Sequence, residues 1–167
     1  MDRQQIGLKL ALEALGIPVR LDSFADRLTV QKSVYLAQAA GIQLGYRFHW
    51  YLRGPYSSTL TRDAFGVVAE LGAGTDESEG WNLDPASLER AKALLALIQT
   101  PSDGDRAQEL ELLASVHFLM YTSAEREHDA AKLSATLQRY GKNFSEEDVR
   151  RAIEELKQHE LGPATAS

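Results

Sequence analysis

One stretch of this chain alternates with the period of a β-strand, while the other apolar residues repeat mainly with the period of a helix. In residues 45–53, GYRFHWYLR, the side chains Tyr46, Phe48, Trp50 and Leu52 alternate with Gly45, Arg47, His49, Tyr51 and Arg53. Successive side chains of an extended segment point to opposite faces, so this run reads as one strand or extended element. Gly54 and Pro55 end it, because proline offers no ladder donor and glycine permits the dihedrals of a sharp turn. A chain of 167 residues, 44% hydrophobic and 25% charged, has the size and balance of one globular domain. The expected fold is mainly α: a single compact helical domain over residues 1–162, with about six or seven helices and one short β-strand or hairpin element. Residues 163–167 are expected to form a disordered tail.

The helices are punctuated by caps and breakers. Residues 2–15 carry Ile6, Leu8, Leu10, Leu12 and Leu15 among good helix formers, and Gly16 with Pro18 stops them. Asp22 and Ser23 precede a second helix over 24–40, with Thr29 as an internal restart and Gly41 as its C-terminal cap. On it Val30, Val34 and Ala37 form one stripe, and Gln31, Tyr35 and Gln38 another. Ser57 or Ser58 caps a third helix ending at Gly72. Residues 72–80, GAGTDESEG, hold no apolar anchor larger than Ala73 and are expected to form a mobile surface loop. Asp84 and Pro85 open a helix through Ile98, closed by the turn residues 100–104, TPSDG. The wide apolar arc of Leu110, Leu112, Leu113, Val116, Leu119 and Met120 predicts a helix that crosses the core. A further helix is expected over 125–140, ended by Gly141. Ser145 opens the last one, with Glu146, Glu147 and Asp148 in its first turn, and Gly162 and Pro163 stop it.

Several chemistries have no support in these residues. Without cysteine there is no disulfide framework, thiolate nucleophile or thiolate metal site. His49, His117, His128 and His159 offer no i, i+4 zinc pair, and Glu125 with His128 is a single Glu-x-x-His where a di-iron bundle needs two. No glycine-rich phosphate cradle occurs, and Ser57 and Ser58 lie outside any nucleophile elbow. No catalytic residue, metal or cofactor is therefore assigned. Gln4, Gln5, Lys9 and Glu13 interrupt the N-terminal apolar residues, which predicts a cytoplasmic protein without a membrane partner.

Arg27 to Asp63 is a basic, aromatic island in a chain of net charge −6. It gathers Lys32, Arg47, His49, Arg53 and Arg62 beside tyrosines, a composition suited to an anionic partner. The expected contact surface comprises Gln31, Lys32 and Tyr35 on the second helix, then Arg47, His49, Arg53, Gly54, Pro55, Tyr56 and Ser57. Equally, Tyr46, Phe48 and Trp50 can face the core while Arg47, His49 and Arg53 solvate the other strand face. Gly54, Pro55 and Tyr56 can act as a turn and anchor. A rival reading is a winged-helix-like nucleic-acid binder in which Lys32, Arg47, Arg53 and Arg62 meet phosphates, although the negative net charge counts against it. Another is a hydrolase or nuclease whose carboxylates, such as Asp63, Glu125 and Asp129, converge only in the fold.

Two linked motifs carry a family resemblance. Arg27-Leu28-x-x-Gln31-Lys32-x-x-Tyr35-Leu36 is followed by Gly45-Tyr46-x-Phe48-x-x-Tyr51-x-x-Gly54-Pro55-Tyr56-Ser57-x-x-Leu60-x-x-Asp63. Over about the first seventy residues this resembles the YwgA-like proteins and, more distantly, the Panacea domain of SocA-like antitoxins. Val30 before Gln31, and Arg53 with Tyr56-Ser57 around the glycine-proline pair, favour the YwgA-like branch. The resemblance implies a mainly helical prokaryotic domain without catalytic activity. Its role would be to bind a protein partner, a toxin or a defence component, in toxin–antitoxin or antiviral modules. It supplies no active site, and homo-oligomers remain compatible with it.

Overall fold

A computed structural model describes residues 1–99 and 105–161 of the chain. Seven α-helices and one two-stranded antiparallel hairpin make up its regular structure: α1 (Arg3–Ala14), α2 (Phe24–Ala39), β1 (His49–Tyr51), β2 (Gly54–Tyr56), α3 (Ser58–Gly72), α4 (Pro85–Gln99), α5 (Arg106–His117), α6 (Ala130–Arg139) and α7 (Glu146–Gln158). The mainly α class with one short hairpin is thus the observed one. The expected turn at 100–104 and the tail at 163–167 lie outside the described residues.

Local signals explain most helix starts. Asp2, Ser23 and Ser145 each accept a hydrogen bond from the backbone N–H three residues on, and that residue's side chain accepts one from the cap's own N–H. Such reciprocal capping satisfies two orphan donors at once and contributes about 1 kcal/mol per helix. Ser57, rather than Ser58, caps α3, and Asp84 caps α4 through the Ser87 N–H. Thr29 starts nothing, because α2 runs uninterrupted through it.

The centre of the molecule is α5, in which every residue from Leu110 to His117 is buried. It packs most extensively on α2, and also contacts α7 and β2. A π-helical turn, Phe118–Thr122, continues it. The wider turn ends where Ser123 N–H donates to Phe118 O. The helix expected from Glu125 therefore begins only at Ala130, where the Asp129 carboxylate accepts from Lys132 N–H. In the intervening loop Glu127 instead accepts the N–H groups of His128 and Asp129.

Two further expectations need correction. The 72–80 connection is tethered: Lys9 of α1 donates to Ser78 Oγ at 2.8 Å and pairs with Asp76 at 3.1 Å, and Ser78 is buried. A buried ammonium demands acceptors, and this loop supplies them. Gly54 and Pro55 do not end the sheet; they form its second strand, with Trp50 opposite Pro55 and Tyr51 opposite Gly54. Leu52 and Arg53 make the tip, and Gly54 takes the left-handed conformation, φ 89°. The alternation along 45–51 holds, with Tyr46 buried, Phe48 and Trp50 half-buried, and Arg47, His49 and Tyr51 exposed.

Candidate functional site

Neighbouring polar residues on α2 fasten the hairpin and the start of α3. The Gln31 amide donates to Ser57 O at 2.8 Å and accepts from Ser57 N–H at 3.0 Å, and it also donates to Thr61 Oγ1. Lys32 Nζ donates to Pro55 O at 2.6 Å. One turn later, Tyr35 Oη lies 2.9 Å from His117 Nδ1 and 3.3 Å from Thr122 Oγ1. Its ring meets Phe48 edge-on, centroids 5.3 Å apart. Gln31 and Tyr35 of the second stripe are therefore buried like the first, with Gln38 half-buried, because their polar ends satisfy groups that folding removes from water.

Charge is concentrated around Lys32. Only 1% of this residue is exposed. Burial, reinforced by the nearby Lys142 and opposed by Glu111, brings its pKa down to about 7. Glu111 of α5 is buried too and pairs closely with Lys142, from the α6–α7 connection. Burial lowers the Lys142 pKa despite that pairing, and Arg53 adds to the lowering. Arg53 approaches Glu111 at 3.9 Å from the hairpin tip. Three cations thus face one carboxylate. At the C-terminal end of α5, burial lowers the His117 pKa to about 4, against an opposing hydrogen bond with the Leu161 backbone.

Above Lys32 opens a groove of about 580 Å³ between the first turns of α2, the hairpin tip and α3. Phe24, Leu28, Tyr51, Leu52, Tyr56 and Phe65 provide its apolar lining, and Arg27, Lys32 and Arg53 its charges. No carboxylate lines it among the described residues. Phe24, Tyr51, Leu52 and Phe65 are exposed, Leu52 to 73%. The Arg53 guanidinium lies over the Phe24 ring, 5.5 Å from its centroid. That stacked pair and Leu28 border both the groove and an adjoining polar hollow of about 420 Å³, which reaches Glu111, Lys142 and Asn143.

The structure divides the residues expected at the contact surface. Arg53 and Tyr56 line the groove, while His49 sits exposed on β1 and Arg47 exposed in the segment before it. Gly54, Pro55 and Ser57 are buried, and Gln31 and Tyr35 are committed to internal hydrogen bonds. Lys32, expected as a surface cation, lies at the groove floor. It cannot join Arg47, Arg53 and Arg62 in one exposed patch. Asp63 is buried and accepts from Tyr46 Oη at 3.1 Å, with Arg62 beside it.

Sequence reasoning missed Phe24, Leu52, Phe65, Glu111 and Lys142. Phe24 carried a signal, a large aromatic directly after an N-cap serine, where first-turn residues face solvent. Glu111 carried another, a lone acid within the apolar run of α5. Among the described residues no group of three or more His, Asp or Glu could hold a metal ion, so Asp63, Glu125 and Asp129 form no such cluster. No helix there is long and apolar enough to cross a membrane. No protein-family model, curated protein or solved structure matches this chain.

Proposed function

We propose that the chain is a non-enzymatic protein-interaction module of antitoxin or phage-defence type, which holds a linear segment of a partner protein in the groove beside the hairpin tip. The observation that carries this reading is the composition of the groove. Exposed aromatic and aliphatic side chains line it together with three basic residues and, among the described residues, no carboxylate, in a chain of net charge −6. Clustered apolar exposure marks interaction surfaces, and rigid aromatics beside arginine are the residue types that dominate binding energy. A complementary segment presents apolar side chains next to acidic ones. The antitoxin or defence setting rests on the YwgA-like resemblance of the first seventy residues.

Selection of a random peptide library on the immobilised protein tests this. The enriched peptides are expected to carry an apolar residue within a few positions of Asp or Glu. They should bind Leu52→Ser and Arg53→Glu variants about tenfold or more weakly, a loss of at least 1.4 kcal/mol, while the melting temperatures stay close to that of the parent. Enrichment without acidic residues, or equal binding to both variants, defeats the proposal. Duplex DNA binding that falls steeply with salt would put the nucleic-acid reading in its place.

A further inference from the structure

We infer that the floor of this groove is a carboxylate receptor, in which the Lys32 ammonium takes the acidic side chain of the partner segment while the apolar walls take its neighbour. The inference rests on the peptide-binding reading above and names the chemistry that the groove selects. An ammonium carries three N–H donors, and among the described residues Lys32 has one acceptor, the Pro55 carbonyl. Glu111 does not serve as its hydrogen-bonded counterion, because its carboxylate is held by Lys142. Lys32 is thus a buried basic group lining a groove that has no acid among the described residues. Burying an ammonium without a hydrogen-bonded counterion is unfavourable, even with the shared charge of Glu111 nearby. A carboxylate arriving beside Lys32 would supply both the charge and the missing acceptors, in a site largely withdrawn from water, where such pairs are strongest.

Apolar surface on both sides sets the rest of the specificity. Phe24, Leu28 and Phe65 can cover an aliphatic or aromatic side chain adjoining the acid, and Arg53 at the rim discriminates against basic segments. Binding is also linked to protons. Free Lys32 has its pKa lowered to about 7, so a carboxylate ligand draws a proton into the complex near neutrality. The charged and titratable groups around it are Lys142 and Glu111 behind it, Arg53, Tyr51 and Tyr56 from the hairpin, and Arg27 from its own helix.

Three blocked tripeptides separate the outcomes: N-acetyl-Leu-Glu-Phe-amide, its Gln isostere N-acetyl-Leu-Gln-Phe-amide, and N-acetyl-Leu-Gln-Phe with a free C-terminus. Binding to the full chain is followed by calorimetry and by amide shifts of groove residues such as Leu28 and Phe65. At pH 6.5 the Glu peptide is expected to bind about tenfold or more tightly than the other two. Its advantage should shrink about tenfold per pH unit above 7, as the ammonium loses its proton. Lys32→Met should abolish the difference, and because the comparison on the unmodified protein needs no variant, misfolding of that variant leaves the test intact. Equal affinities with groove shifts overturn the carboxylate receptor while leaving the peptide groove standing. An advantage for the free C-terminus overturns the side-chain assignment. No shift at the groove with any peptide overturns both readings.

Discussion

The side-chain amide of Gln31 pairs with both backbone groups of Ser57, accepting its N–H at 3.0 Å and donating to its carbonyl at 2.8 Å. A side chain here does the work of a third strand, joining α2 to the point where β2 becomes α3. The Ser57 carbonyl keeps the Thr61 N–H as a donor at 3.2 Å, so removing the amide leaves the buried Ser57 N–H unpaired, at about 1–3 kcal/mol. Gln31→Leu should lower the free energy of unfolding by about 1–3 kcal/mol, read as a shift in the urea midpoint. A shift below about 0.5 kcal/mol would mean that the pairing is dispensable.

Gly54 is required twice over. Its φ of 89° suits glycine, and a Cβ added there would lie 2.3 Å from Ser115 Oγ. Gly54→Ala should therefore destabilise the fold by more than the 1–2 kcal/mol or so of left-handed strain alone. Adding Ser115→Ala removes the hydroxyl clash and should restore all but that remainder. A double variant no more stable than Gly54→Ala would show that the Ser115 hydroxyl is not the obstacle.

Lys32 makes stability depend on pH in a predictable direction. In the unfolded chain its pKa is near 10.5, and in the fold it is about 7. Between those values the unfolded chain holds a proton that the folded one lacks. Stability from this residue is therefore full above pH 10.5 and is lost as pH falls towards 7, at about 1.4 kcal/mol per unit. Lys32→Met, similar in volume and uncharged, should gain stability relative to the parent as pH is lowered from 10 to 7. A difference that stays flat across this range would contradict the buried-cation assignment.

His117 behaves alike at lower pH. Its pKa falls from 6.5 unfolded to about 4 folded. Its contribution is complete above pH 6.5 and declines by about 3 kcal/mol as pH drops to 4. The imidazole resonances should titrate near 4 by NMR, and His117→Gln should flatten this part of the acid limb. Titration near 6.5 would place His117 in water rather than beside Tyr35.

Where a fold feature depended on neighbouring residues, it was legible in the sequence. The caps Ser23, Asp84 and Ser145, the alternation from Tyr46 to Trp50 and the apolar arc of α5 are local patterns that packing had no reason to override. Features set by distant partners were hidden. Lys9 pins the 72–80 loop from another helix, so its glycines and acids read as free. Asp129 was outcompeted on paper by the helical composition of residues 125–128, because the π-turn before them leaves no linear mark. Arg53 and Tyr56, singled out as an arginine and a tyrosine beside the glycine-proline pair, do line the groove, Arg53 from the tip and Tyr56 from β2. The depth of Lys32 was not legible, because its burial is decided by Pro55, Glu111 and Lys142, the last two about 80 and 110 residues away in the chain.

The position of α5 at the centre has a consequence for synthesis. Helices α1 to α4 and the hairpin leave the ribosome before α5 does, yet α2 and β2 complete their packing only against it. A nascent chain stalled near residue 105 would carry the α5-facing side of α2, Tyr35 included, uncovered and Lys32 still hydrated. Such an intermediate invites chaperones until the remaining third of the polypeptide arrives.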